Sequence, residues 1–196
     1  VLGEDLGTVP DGLREKLITR SILGMRVLLF EQDHSTRFRP ILDWPDNALA
    51  TTSTHDLPTL NGWWHGRDIE WNARLGLVTG DDETHWRAHR QRERDSLRSA
   101  LSQDPQNFRE EQHETDQVLD ASVRFLGHTR APLVLLPLED ALGLDEQPNL
   151  PGTVDTHPNW RRRLPADSKQ LLDDADAARR LEMLACARLQ ASERDR

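Results

Sequence analysis

Three short apolar runs, set among much longer stretches of helical periodicity, constrain this chain more than any other feature. Met25-Arg26-Val27-Leu28-Leu29-Phe30 follows Gly24, and Ala48-Leu49-Ala50-Thr51-Thr52-Ser53 follows the turn residues Asp46-Asn47. Ala131-Pro132-Leu133-Val134-Leu135-Leu136-Pro137 is bracketed by prolines. Each has the length and composition of a buried strand, and Val1-Leu2 reads as the end of a fourth. Helical patterns lie between them. Asp11 suits the cap of a helix over 12–21 that Gly24 ends. The stretch 83–103 places Trp86, His89, Leu97 and Leu101 near helical spacing. The stretch 114–127 aligns Val118, Leu119, Val123 and Leu126, and 174–194 aligns Ala178, Leu181, Ala185 and Leu189. Strands that alternate with helices predict βαβ units and a parallel sheet, hence an α/β fold that is rich in helix. A complete eight-unit (β/α) barrel needs about 250 residues, more than the 196 present.

Charge narrows the class of partner. There are 34 acidic and 25 basic residues, a net charge of −9, and an acidic chain repels phosphate backbones, which excludes nucleic acid. No window approaches the roughly 18 apolar residues of a membrane span, so no membrane partner is expected. Val1-Leu2-Gly3-Glu4-Asp5 has neither the basic nor the apolar region of a signal peptide. The single cysteine, Cys186, fits a reducing, cytoplasmic compartment and reads as a small packing residue.

The polar motifs cluster where strands end. Gly3-Glu4-Asp5-Leu6-Gly7 sets two carboxylates directly after an apolar start, either as a polar turn or as working acids. Ser53-Thr54-His55-Asp56 ends another strand and precedes Pro58 and Gly62-Trp63-Trp64. A His-Asp pair beside tryptophans suits a sugar, whose apolar faces pack on aromatic rings; the alternative is a capping Asp with Trp63 and Trp64 in the core. The loop 143–165 is too long for a passive turn. It carries Asn149-Leu150-Pro151-Gly152-Thr153 and Pro158-Asn159-Trp160-Arg161, groups that suit a neutral polar ligand or an ordinary loop anchored by Trp160. His85 and His89 share a helix face, but Trp86 replaces the glutamate of a zinc motif and no third ligand follows, so no metal is expected.

Taken in order, seven segments resemble the amylomaltase family, the 4-α-glucanotransferases (disproportionating enzymes) of glycoside hydrolase family 77. They are 3–7, 24–30, 54–56, 62–64, 138–144, 149–153 and 159–160. The resemblance implies that residues 1–196 are the C-terminal part of a (β/α)8 TIM barrel. Strands five to eight would be Val1-Leu2, 25–30, 48–53 and 131–137, and strands one to four would be absent.

The family uses three carboxylates. Glu4 matches the acid/base and Asp56 the carboxylate that stabilises the sugar, while the nucleophile has no counterpart in an arginine–isoleucine–aspartate–histidine setting here. The resemblance further implies that His55 and Asn149 contact substrate, that Trp63, Trp64 and Trp160 either pack on the glucan as substrate contacts or support the walls, and that Asp5 holds the strand-five turn. Substrates would be α-1,4-glucans (maltodextrins) and glucose, with retention of configuration and no cofactor. The parent would be active, and the 196-residue piece alone inactive. Two other readings stand beside this one: a non-catalytic carbohydrate-binding or interaction module, and an α-amylase-type hydrolase, against which the loop with Asn149 and Trp160 argues. Oligomeric state is open.

Overall fold

In the computed structural model, which describes residues 1–104, 107–108 and 113–194, a parallel sheet lies under a layer of helices. Strands β1 (Gly24–Val27), β2 (Ala48–Thr51) and β3 (Leu133–Leu135) are ordered β1-β2-β3. Gly24 pairs with Ala48, Val27 with Thr51, and Leu49 with Leu133. Leu2 adds one parallel bridge to Leu23. Because all of these run the same way, the segments 3–5, 28–30, 52–56 and 136–140 leave the sheet at one edge. β2, paired on both sides, is buried along its whole length, which suits its small and β-branched residues.

Helices α1 (Leu13–Ile18), α2 (Leu60–His65), α3 (Arg67–Arg74), α4 (Gly80–Leu101), α5 (Glu114–Gly127), α6 (Leu138–Ala141) and α7 (Ala175–Arg194) follow. The core gathers Leu28, Leu29 and Ala50 with Leu60, Trp63 and Trp64, with Leu97 and Leu101 of α4, and with Val118, Leu119, Val123 and Leu126 of α5. Trp44 meets Phe125 edge-on, with ring centroids 6.1 Å apart.

The expected elements are present with five differences. The helix expected over 12–21 with Asp11 as its cap covers only Leu13–Ile18, with Gly12 at its N-cap and no side-chain cap. The strand expected over 25–30 ends at Val27, and Leu28–Phe30 curls into a 3-10 turn. The turn lets the consecutive residues Leu28 and Leu29 enter one core, which a strand's alternation forbids. The other two strands are shorter than their apolar runs, and the edge strand β3 leaves Leu133 and Leu135 half exposed. The helices α2 and α3, which follow Pro58, add to the expected elements.

In α7 the face expected inward is outward. Ala178, Leu181, Ala185, Leu189 and Cys186 are exposed, while Ala177, Arg180 and Ala187 are buried. Arg180 decides this orientation. It is sealed between helices, donating to Asp120 (2.9 Å), Asp116 (3.1 Å) and the carbonyl of Ala141 (2.9 Å). A satisfied guanidinium of this kind outranks the weaker apolar stripe.

Candidate active site

At the sheet edge, two loops meet. The first, 52–60, carries His55 and Asp56 and is tied down from within. Thr51 Oγ1 donates to the carbonyl of Ser53 (2.8 Å) and Ser53 Oγ to that of Pro58 (2.6 Å). Thr59 caps α2 by accepting from the Gly62 amide (3.0 Å). Beneath the loop, the sealed carboxyl of Asp140 accepts from the Leu60 amide (2.7 Å) and from Thr52 Oγ1. Burial pushes Asp140 up to about 6 despite these two donors.

The second loop, 143–165, lies across α2 and α3. A Cβ on Gly62 would meet the Asp145 carbonyl oxygen at 2.2 Å, so only glycine lets the loop cross α2 so closely. Glu146 accepts from Trp71 Nε1 (2.9 Å) and Arg162 Nη2 (3.0 Å) and pairs with Arg67. Burial alone would raise this carboxyl, but those donors hold it below its ordinary value. Asn159 closes the loop, its Nδ2 donating to Thr153 O (2.9 Å) while its Oδ1 accepts from the Leu150 amide (2.9 Å).

These supports bring four expected residues together. Asn149 Nδ2 donates to Asp56 Oδ1 (2.6 Å), and the Asn149 backbone amide donates to the His55 carbonyl (3.2 Å). His55 Nε2 stands 3.5 Å from Asp56 Oδ2. The His55 and Trp160 rings lie 5.5 Å apart at a tilt of 40°. Trp160 is 65% exposed.

Glu4 is exposed just past the Leu2 bridge, on the far side of β1 from β2. Among the described residues it makes no contact with this cluster. Its neighbour Asp5 is buried and holds the turn. It accepts from the Met25 amide (2.7 Å), Arg26 Nη1 (2.9 Å) and Arg14 Nε (2.9 Å). Burial acts to raise its carboxyl, and these donors together outweigh that and hold it low. Gly24 makes room, since a Cβ there would meet Asp5 Oδ1 at 2.9 Å.

Two expected contacts move elsewhere. Trp63 and Trp64 are 4% and 3% exposed, and the guanidinium groups of Arg90 and Arg94 lie 4.7 and 4.6 Å from their ring centroids. Neither has a free face, because α2 turns both rings into the core beneath α4. The reading of both as substrate contacts is corrected to wall support. Sequence reading also passed over Asp140 as a partner of the 52–60 loop and His157 as a partner of Asn159. Asp140 carried a faint signal, an acid directly after a proline-bounded apolar run. Among the described residues, no group of three His, Cys, Asp or Glu side chains is placed to hold a metal ion, and no helix is long and apolar enough to cross a membrane.

Comparison with known proteins places this geometry in context. The family model for 4-alpha-glucanotransferases matches residues 1–169. A 4-alpha-glucanotransferase of Haemophilus influenzae is 34% identical over 172 residues, 84% of this chain and 24% of the relative. One of Mycobacterium bovis is 34% identical over 191 residues, 94% of this chain and 26% of the relative. The chain thus spans about a quarter of the length of the curated relatives it matches. Among solved structures, an amylomaltase from Corynebacterium glutamicum superposes with a TM-score of 0.76 at 28% identity, covering 96% of this chain and 28% of that one. An amylomaltase from Streptococcus agalactiae in complex with acarbose shares the fold at a TM-score of 0.62 and 19% identity, covering 95% and 31%.

Proposed function

The chain belongs to the 4-alpha-glucanotransferase family, and from that membership we propose that it supplies strands five to eight of a catalytic (β/α)8 barrel. The whole enzyme would move an α-1,4-glucan segment from one maltodextrin to the 4-hydroxyl of another, or to glucose, with retention of configuration. Residues 1–196 would form one portion of that barrel, in a cytoplasmic setting that accords with the single cysteine. The order Leu2–β1–β2–β3, all parallel, supports the assignment to four successive barrel strands. Polar residues at the carboxyl ends of such strands are where barrel enzymes hold their chemistry.

The observation that carries the reading is the convergence of Asp56, His55, Asn149 and Trp160 at that edge. Asp56 would accept hydroxyls of the sugar at the reacting bond, a contact that strengthens as positive charge develops in the transition state. Asn149 orients the first oxygen of Asp56, and the second, 3.5 Å from His55 Nε2, would meet the ligand. His55 would donate to the same sugar, and the exposed Trp160 would pack on the next one. Glu4 would protonate the leaving oxygen and then take the proton of the incoming hydroxyl. The nucleophile would come from residues outside this chain.

The test is disproportionation of maltotriose by the full-length enzyme with Asp56→Asn. Loss of transition-state hydrogen bonds of this kind lowers kcat by about 10²–10³-fold. Turnover within a few-fold of the unaltered enzyme would refute the assignment of Asp56.

A further inference from the structure

We infer that His157 is a positioning residue: through Asn159 it fixes the 148–160 segment so that Asn149 reaches Asp56 and Trp160 lies against His55. The inference rests on the proposed transfer function for its kinetic consequence, but its structural content stands on the contacts alone.

His157 is fully buried, and its ring meets Trp71 of α3 edge-on at 4.6 Å. Its Nδ1 lies 2.5 Å from Asn159 Oδ1. The orientation of the Asn159 amide is set independently, because its Nδ2 donates to Thr153 O (2.9 Å) and Thr153 Oγ1 (2.8 Å). Oδ1 is therefore the acceptor, and His157 Nδ1 carries the proton. The Leu150 amide donates to the same oxygen (2.9 Å). One carbonyl oxygen thus ties together the residue after Asn149 and the residue before Trp160.

Trp160 has φ +57, a left-handed backbone that a bulky residue keeps only when its surroundings impose it. The restraints are its amide on Pro148 O (2.9 Å) and the fixed Asn159 beside it. Packing alone does not account for a histidine at 157. Its Nε2 is buried without a partner among the described residues. An apolar side chain of that size would fill the space without leaving a polar atom unsatisfied, and buried unsatisfied groups that persist call for another reason. Besides its edge-on contact with Trp71, the imidazole supplies what leucine cannot, the proton on Asn159.

The experiment compares His157→Leu and His157→Asn in the full-length enzyme, each with and without Asn149→Ala. It reads maltotriose kinetics together with amide exchange over 148–160 and over β2. His157→Leu is expected to speed exchange of the Asn149 and Trp160 amides about 10-fold with β2 unchanged, and to lower kcat/KM about 10-fold. His157→Asn, whose amide donates from nearly the same place, restores both to within about 3-fold. In the Asn149→Ala background the leucine substitution loses most of its kinetic effect, because a residue that acts through Asn149 cannot be additive with its loss. Additive effects, or undisturbed loop amides in His157→Leu, would overturn the inference. If His157→Leu also deprotects β2, Asn159→Ala replaces it, removing the acceptor that His157 and the Leu150 amide share; unchanged exchange over 148–160 there would overturn the inference equally. If the unaltered enzyme transfers no glucan, the functional reading falls, and the exchange comparison alone decides the role of His157.

Discussion

Asn149 Nδ2 donates a 2.6 Å hydrogen bond to Asp56 Oδ1, joining residues 93 positions apart in the chain. The bond converts two loops into one surface, and it leaves Asp56 with its carboxylate half free at 45% side-chain exposure. Asn149→Ala should therefore lower transfer about 10-fold while leaving the fold intact, since the side chain lost is a half-buried loop residue outside the core. Steady-state kinetics with thermal melts beside them check this; an unchanged kcat/KM would show that Asp56 needs no such partner.

The tryptophans separate wall from site. Trp63→Ala should cost about 3–5 kcal/mol of stability, because it empties a core position. Trp160→Ala should cost little stability but weaken glucan binding by about 1 kcal/mol, the scale of one ring contact. Calorimetric binding and denaturation of both variants decide it. A stability loss at Trp160 matching that at Trp63 would contradict the division.

Asp140 makes stability depend on pH with an unusual sign. Its carboxyl is raised from 3.8 to about 6, so the folded state holds this proton more tightly than the unfolded chain does. Its contribution is present below about pH 4 and is lost as pH rises through about 6, a difference of about 3 kcal/mol. Asp140→Asn keeps an acceptor for the Leu60 amide and removes the titration. Relative to the unaltered protein, the variant should gain stability between pH 4 and 7. Urea midpoints across that range test this, and parallel curves would contradict it.

Asp5 has the opposite sign. Its carboxyl is held low by the Met25 amide, Arg26 and Arg14 against the upward push of burial. Its contribution is present above the unfolded value and fades as pH falls toward the lower folded one. Asp5→Asn faces these donors with an amide that cannot answer them all, and should destabilise by about 3 kcal/mol at neutral pH. Melting the variant at neutral and at acid pH checks this: its deficit should shrink as the pH drops.

Much of this was readable from local pattern. Helix α5 follows its apolar spacing from end to end, and the apolar runs mark the places of β1, β2 and β3, although only β2 is buried along its whole length. The candidate residues were readable as motifs at strand ends and in the long loop, and four of them, Asp56, His55, Asn149 and Trp160, lie together in the structure. What could not be read is what depends on partners far away in the chain. Arg180 turns α7 over because Asp116, Asp120 and Ala141 await it, and no periodicity records that. Trp63 and Trp64 sit beside a His-Asp pair in sequence, but α2 carries them inward under Arg90 and Arg94. Asp140 reaches Thr52 across 88 positions, a contact that only the register of β2 and β3 creates.

The central claim is that this chain carries the proton-transfer carboxyl of a glucan-transferring site, and Glu4→Gln in the full-length enzyme tests it most directly. The amide nearly matches the carboxyl in size but cannot give or take the proton. Formation of glucose and of longer glucans from maltotriose should fall together by about 10²–10⁴-fold, while calorimetric binding of maltotriose stays within about 3-fold. Near-normal transfer by Glu4→Gln would contradict the account.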